Sequence, residues 1–183
     1  MSLKGVAYIL ATAFMIGGAF AAEPLRDEAT GLAVLPPEGY EASRAEGDAR
    51  YAVVFAVQKA NEAETGCKIA FQAAPQNAGL SQAEINAFTQ KKEWTELIRA
   101  TLSLRYDVES VMPFEQGGLA GAAVVADFKS TEGEPKAAEL RSYLVLIDTP
   151  KGRTTVVCVG DKAGFEGRKP EFEAIARAVS PPR

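Results

Sequence analysis

The stretch LRSYLVLIDTPKGRTTVVCVG, residues 140–160, constrains the fold more than any other part of this chain. Two short runs rich in Val, Leu and Ile flank a turn at Thr149-Pro150-Lys151-Gly152-Arg153. Pro150 pre-sets the turn dihedral and Gly152 relieves strain near its end. The pattern predicts an antiparallel hairpin. Its first arm is apolar on both faces and reads as a central strand. In the second arm Val156 and Cys158 alternate with Val157 and Val159, so both faces there also read as buried.

The segments before the hairpin are short and closely spaced. Residues 31–42, GLAVLPPEGYEA, read as a strand, a Pro-Pro-Glu-Gly turn and a second short strand. Residues 51–60 and 67–74 read as two more strands, separated by a charged turn that ends in Gly66. Such spacing favours antiparallel meander pairing. Ser81 and Glu84 have the spacing of a capping box, so a helix starts there and runs over about 81–103. Ile85, Phe88, Leu97, Ile98 and Leu102 make its apolar side, with Trp94 on a neighbouring row. Residues 106–118 and 119–130 read as a strand pair joined at Gly117-Gly118, and 131–139 as a polar loop. A closing helix is predicted over about 170–179, with Pro170 in its first position. Phe172, Ile175, Ala176 and Val179 form its apolar face.

The first residues set the compartment. Lys4 precedes an uncharged apolar run, Val6 to Phe20, and Ala19-Phe20-Ala21 is a small-x-small site. That is the layout of a secretory signal peptide, and the run is shorter than the roughly 20 residues a spanning helix needs. Cleavage is expected after Ala21, before Ala22, leaving no transmembrane anchor. The predicted organisation is a signal peptide at 1–21, a flexible segment at 22–30 and one globular domain at 31–183. The 183 residues less 21 leave 162, enough for one domain with its own core. Of 20 basic residues only Lys4 lies in the leader, and 24 are acidic, so the mature charge is −5. A net-acidic exported chain is a poor binder of nucleic acid.

An exported chain with an even cysteine count usually pairs them. Cys67 alternates with Ile69 and Phe71 on an apolar strand face, and Cys158 lies in the hairpin. A Cys67–Cys158 disulfide is therefore predicted. By the chain-entropy argument it would close a long loop worth roughly 4–5 kcal/mol. No C-x-x-C accompanies it, so a redox role is not expected.

The chain contains no histidine. That removes Ser-His-Asp and Cys-His catalysis, histidine-ligated haem and most zinc and copper sites. Ser81 lacks a base and the second glycine of a nucleophile elbow, and reads as a helix cap. EQGGLAG, residues 115–121, has neither the spacing of a dinucleotide fingerprint nor the lysine of a phosphate loop. The acidic pairs Glu62/Glu64, Glu132/Glu134 and Glu171/Glu173 read as solvated charge. No catalytic residue, cofactor or metal site is predicted.

Three segments carry a resemblance: GLAVLPPEGY at 31–40, the hairpin at 140–160, and PEFEAIARAVSPP at 170–182. In their order along the chain they resemble the Mog1/PsbP-like group of small exported accessory proteins. The resemblance implies an α+β fold, an antiparallel sheet flanked by helices as an α/β/α sandwich. It implies that Phe172 and Ile175 face the sheet, and it implies a non-enzymatic docking or assembly module. The expected function is thus an exported, periplasmic or secreted accessory protein that contacts another protein or an envelope component. The alternative is a carrier of a small ligand or lipid, with a pocket between the long helix and the sheet.

Overall fold

The predicted hairpin lies at the centre of the molecule. The computed structural model describes residues 23–62, 65–129 and 135–183. Among these residues ten strands and three α-helices follow in chain order. They are β1 (Leu25–Arg26), β2 (Ala33–Val34), β3 (Glu41–Arg44), β4 (Val53–Gln58), β5 (Gly66–Ala73), α1 (Gln82–Thr89), α2 (Lys92–Leu102) and β6 (Tyr106–Gln116). Then come β7 (Leu119–Phe128), β8 (Leu140–Thr149), β9 (Gly152–Asp161), α3 (Phe165–Arg177) and β10 (Val179–Ser180). Seven strands form one antiparallel sheet in the order β3-β4-β5-β9-β8-β7-β6. β8 and β9 are the hairpin of residues 140–160. β6 and β7 are joined at Gly117 and Gly118, whose φ angles of 53° and 79° suit a two-residue turn only glycine enters freely.

The sheet has a layer on each side, an α/β/α arrangement. On one side lies α3, whose Phe172, Ile175 and Ala176 are fully buried among Phe55, Ile69, Val145 and Val156. On the other side α1 rests on β7 and β8, and α2 on β6. There Trp94 and Ile98 pack on Ala122, Val124, Leu144 and Leu146. Every strand of the sheet is antiparallel to its neighbours, and β8 is buried along nearly its whole length, as its two-sided apolar pattern predicts.

Five local expectations need correction. The helix predicted over 81–103 is two helices, broken at Gln90 and Lys91. Ser81 caps α1 in a reciprocal capping box with Glu84, as predicted. The closing helix begins at Phe165, five residues before Pro170, which lies inside it and exposed. Burial of Phe165 against Phe172, with ring centroids 5.9 Å apart, holds that extra turn in place. β2 does not pair with β3. It joins β1 and β10 in a separate three-stranded sheet. Of the segment expected to be loose, 22–30, Leu25–Arg26 pair with β2 in that sheet, and Ala22 lies outside the described residues. Asp27 in the same segment is buried and accepts hydrogen bonds from the Thr30 backbone and hydroxyl. Finally, β9 is buried on one face only: Val156 and Cys158 are enclosed, while Thr155, Val157 and Val159 are half-buried.

Candidate binding surface

Strands β4, β5 and β9 carry two very different faces. Inward they place Val53, Phe55, Val57, Ile69, Phe71 and Val156 in the core. Outward they place small or polar side chains, among them Ala56, Lys68, Ala70, Gln72, Thr155 and Val157. The helices cover the β6–β8 half of this outer face. Two hollows open beside them, over the other half and at its border.

The first hollow, about 390 Å³, lies at the corner where α1 meets α2. Ile85 and Trp94 form its buried floor. Around it stand Leu80, Phe88 and Leu97, 44%, 53% and 58% exposed. The helix break accounts for Leu97. At about 100° per residue, a continuous helix would put Trp94 and Ile98 on the side opposite Ile85. The break re-phases α2, so that Trp94 and Ile98 point inward and Leu97 outward. At the sheet end Arg153 grips Asp148 with two hydrogen bonds, 2.8 and 2.7 Å. The pairing raises the already high pKa of the guanidinium. Lys91 lies 5.9 Å from the Phe88 ring centroid.

The second hollow, also about 390 Å³, lies over β4, β5 and β9. Val54, Ala56, Ala70, Val157 and Val159 line it, with Tyr51 on the β3–β4 loop. Gln72 and Arg153 are cross-strand partners lining the first hollow, and Ala70 and Thr155 are the next outward pair, lining the second. The two therefore follow one another along the same strands. The space directly beneath the helices is filled by Trp94, Ile98 and their partners, and what opens between helix and sheet is the first hollow, at the edge of that packing.

Several of the remaining charges are held in pairs. On α3, Glu171 accepts from the Tyr40 hydroxyl and from Lys59 at 2.9 Å, and both bonds lower its pKa. Arg168 reaches Glu62 at 2.7 Å and the Thr65 hydroxyl at 3.1 Å. Together they tie the Pro-x-Gly-aromatic turn and the β4–β5 turn to the closing helix. At the other end Arg141 binds Asp127 at 2.7 Å and Glu109 at 2.8 Å, and Lys162 joins Asp127. The Arg141 bonds are the main reason the Asp127 carboxyl sits below its ordinary value. Asp27, bonded to Thr30 and Arg44, is lowered to about 2. These carboxyls are held ionised, the opposite of a group poised to donate a proton. Among the described residues no three acidic or sulfur side chains converge as a metal site.

Of the predicted site residues, Cys67 and Cys158 are brought together. They are directly paired across β5 and β9, both buried, with sulfurs 2.01 Å apart. Ala21 and Ala22, with the rest of the predicted leader, lie outside the described residues, as do Glu64, Glu132 and Glu134. Glu62 pairs with Arg168, while Glu171 and Glu173 lie on α3. The hollows went unpredicted. The Ala56, Lys68, Ala70 and Gln72 alternation marks a thinly covered face, but it does not say whether a helix crosses that face. Among the described residues no helix is long and apolar enough to cross a membrane.

No family model and no curated protein matches the sequence. Solved structures do. A structure of a protein of unknown function from Pseudomonas aeruginosa aligns over 88% of this chain and 97% of its own, at 9% identity and a TM-score of 0.45. The solution structure of cyanobacterial PsbP, CyanoP from Synechocystis, aligns over 94% of this chain and 98% of its own. That match has 11% identity and a TM-score of 0.56. Over nearly its whole length, then, this chain has the α+β architecture of the Mog1/PsbP-like fold.

Proposed function

We propose that this chain is an exported, non-enzymatic accessory protein that docks on another protein through the α1–α2 corner. The observation that carries the reading is the apolar corner itself. Leu80, Phe88 and Leu97 stand exposed around a hollow floored by Ile85 and Trp94. Large apolar side chains clustered around a concavity are the form of a protein contact, where a few anchors carry most of the affinity. Export rests on the leader-like first 21 residues and on the paired cysteines. The absence of histidine and the locked state of the buried carboxylates support a non-catalytic role.

The test is site-specific photo-cross-linking in the native host. A cross-linker at Leu97 is expected to capture one discrete protein, and Phe88→Ser is expected to abolish that adduct. The same group at exposed Ala163, ahead of α3, is expected to capture nothing. Equal capture from both positions, or an adduct indifferent to Phe88→Ser, would sink the reading.

A further inference from the structure

The hollow over β4, β5 and β9 is a different kind of place from the corner. The corner offers protruding large side chains. This hollow offers small ones, Ala56 and Ala70 with Val54, Val157 and Val159, so the floor is apolar and low. A loop forms a wall beside it. Gly47 lies so close over Val54 that an added Cβ would overlap the valine side chain, and Tyr51 stands at the loop's end. The volume of about 390 Å³ falls in the range of small-ligand sites.

The charges around it are few. Asp48 is engaged by Arg50 at 2.9 Å. Glu46 also lines the hollow, from the exposed loop. Lys68 projects from the floor itself, set between Ala56 on β4 and Val157 on β9. It is the one cation lining the hollow, and it has no carboxylate within ion-pair distance among the described residues. A low apolar floor with one ammonium, unpaired among the described residues, complements an apolar chain that ends in a negative charge.

From this we infer that the hollow binds a single-chain anionic amphiphile, its chain along Ala56, Ala70, Val157 and Val159 and its headgroup at Lys68. The inference does not depend on protein docking at the α1–α2 corner.

Titration calorimetry with laurate below its micelle concentration tests it on the purified protein. Saturable one-to-one binding is expected. Ala70→Phe, which fills the floor, weakens it by about tenfold or more. Lys68→Glu weakens laurate about fivefold, as for a partly exposed charge contact, and leaves neutral dodecanol nearly unchanged. Phe88→Ser, at the other hollow, leaves laurate binding intact. Ala56→Phe repeats the floor test at a second site, and circular dichroism confirms that each variant is folded. The inference is overturned by the absence of saturable binding or by full affinity in both floor variants. It is equally overturned by loss of binding in Phe88→Ser, or by dodecyltrimethylammonium binding as tightly as laurate.

Discussion

Asp27 is a residue whose chemistry the fold sets strongly. Thr30 donates to it from both backbone and hydroxyl, and Arg44 reaches it from β3. Its carboxyl therefore titrates near 2 rather than at the ordinary 3.8. A lowered folded-state pKa stabilises the fold while the group is ionised. That contribution is complete above about pH 4 and is lost as the pH falls toward 2. Asp27→Asn is expected to cost about 1–2 kcal/mol at pH 7 by chemical denaturation. It is also expected to flatten the fall in stability between pH 4 and pH 2. A variant as acid-sensitive as the parent would show that Asp27 is not the group that titrates. None of this was legible in the sequence, where Asp27 falls in a polar stretch. Its partner Arg44 is 17 residues away, on β3 of the other sheet, and only the packing of the two sheets brings it near.

At the scale of elements, local signals were reliable where one short motif decided the outcome. The Ser81–Glu84 box started α1, and Thr149-Pro150-Lys151-Gly152 turned β8 into β9. They were unreliable where tertiary packing chose between two helical phases. Residues 81–103 read as one helix, on which Ile85 and Ile98 would point to nearly opposite sides, yet both are buried, because the break at Gln90 and Lys91 re-phases α2 and brings Trp94 and Ile98 to the core. Likewise Pro170 marked a start that burial of Phe165 overrides. α3 carries one residue that the fold does not require, Gly167. Nothing lies within 4 Å of where its Cβ would be, and it is exposed within the helix. Gly167→Ala is expected to stabilise the protein by about 0.5–1 kcal/mol, read as a higher denaturation midpoint. A lower midpoint would mean that α3 does not keep this turn in solution.

At the scale of the whole molecule, the seven-stranded sheet was legible in outline because its strands follow one another as hairpins from β6 to β9. The β5–β9 pairing was less so, since those strands are far apart in sequence. The cysteine pair was the one long-range clue to it. Cys67 and Cys158 meet across β5 and β9, a separation of 91 positions. Replacing both cysteines of that bridge by alanine is expected to cost about 2–5 kcal/mol. Equal stability of the parent under reducing and oxidising conditions would argue against it. The outer face of the sheet could not have been read from sequence. Alternation tells which side chains point outward, whereas the reach of α1 and α2 over them depends on loop paths and on the helix break.

The central claim is that this is an exported docking protein, and native mass spectrometry of the untagged protein from its own host's soluble envelope fraction tests it most directly. The account predicts a chain with the mass of residues 22–183, two hydrogens light, carrying a protein-sized adduct that Phe88→Ser removes. A chain that keeps its first 21 residues, or one with no bound protein in any preparation, would contradict it.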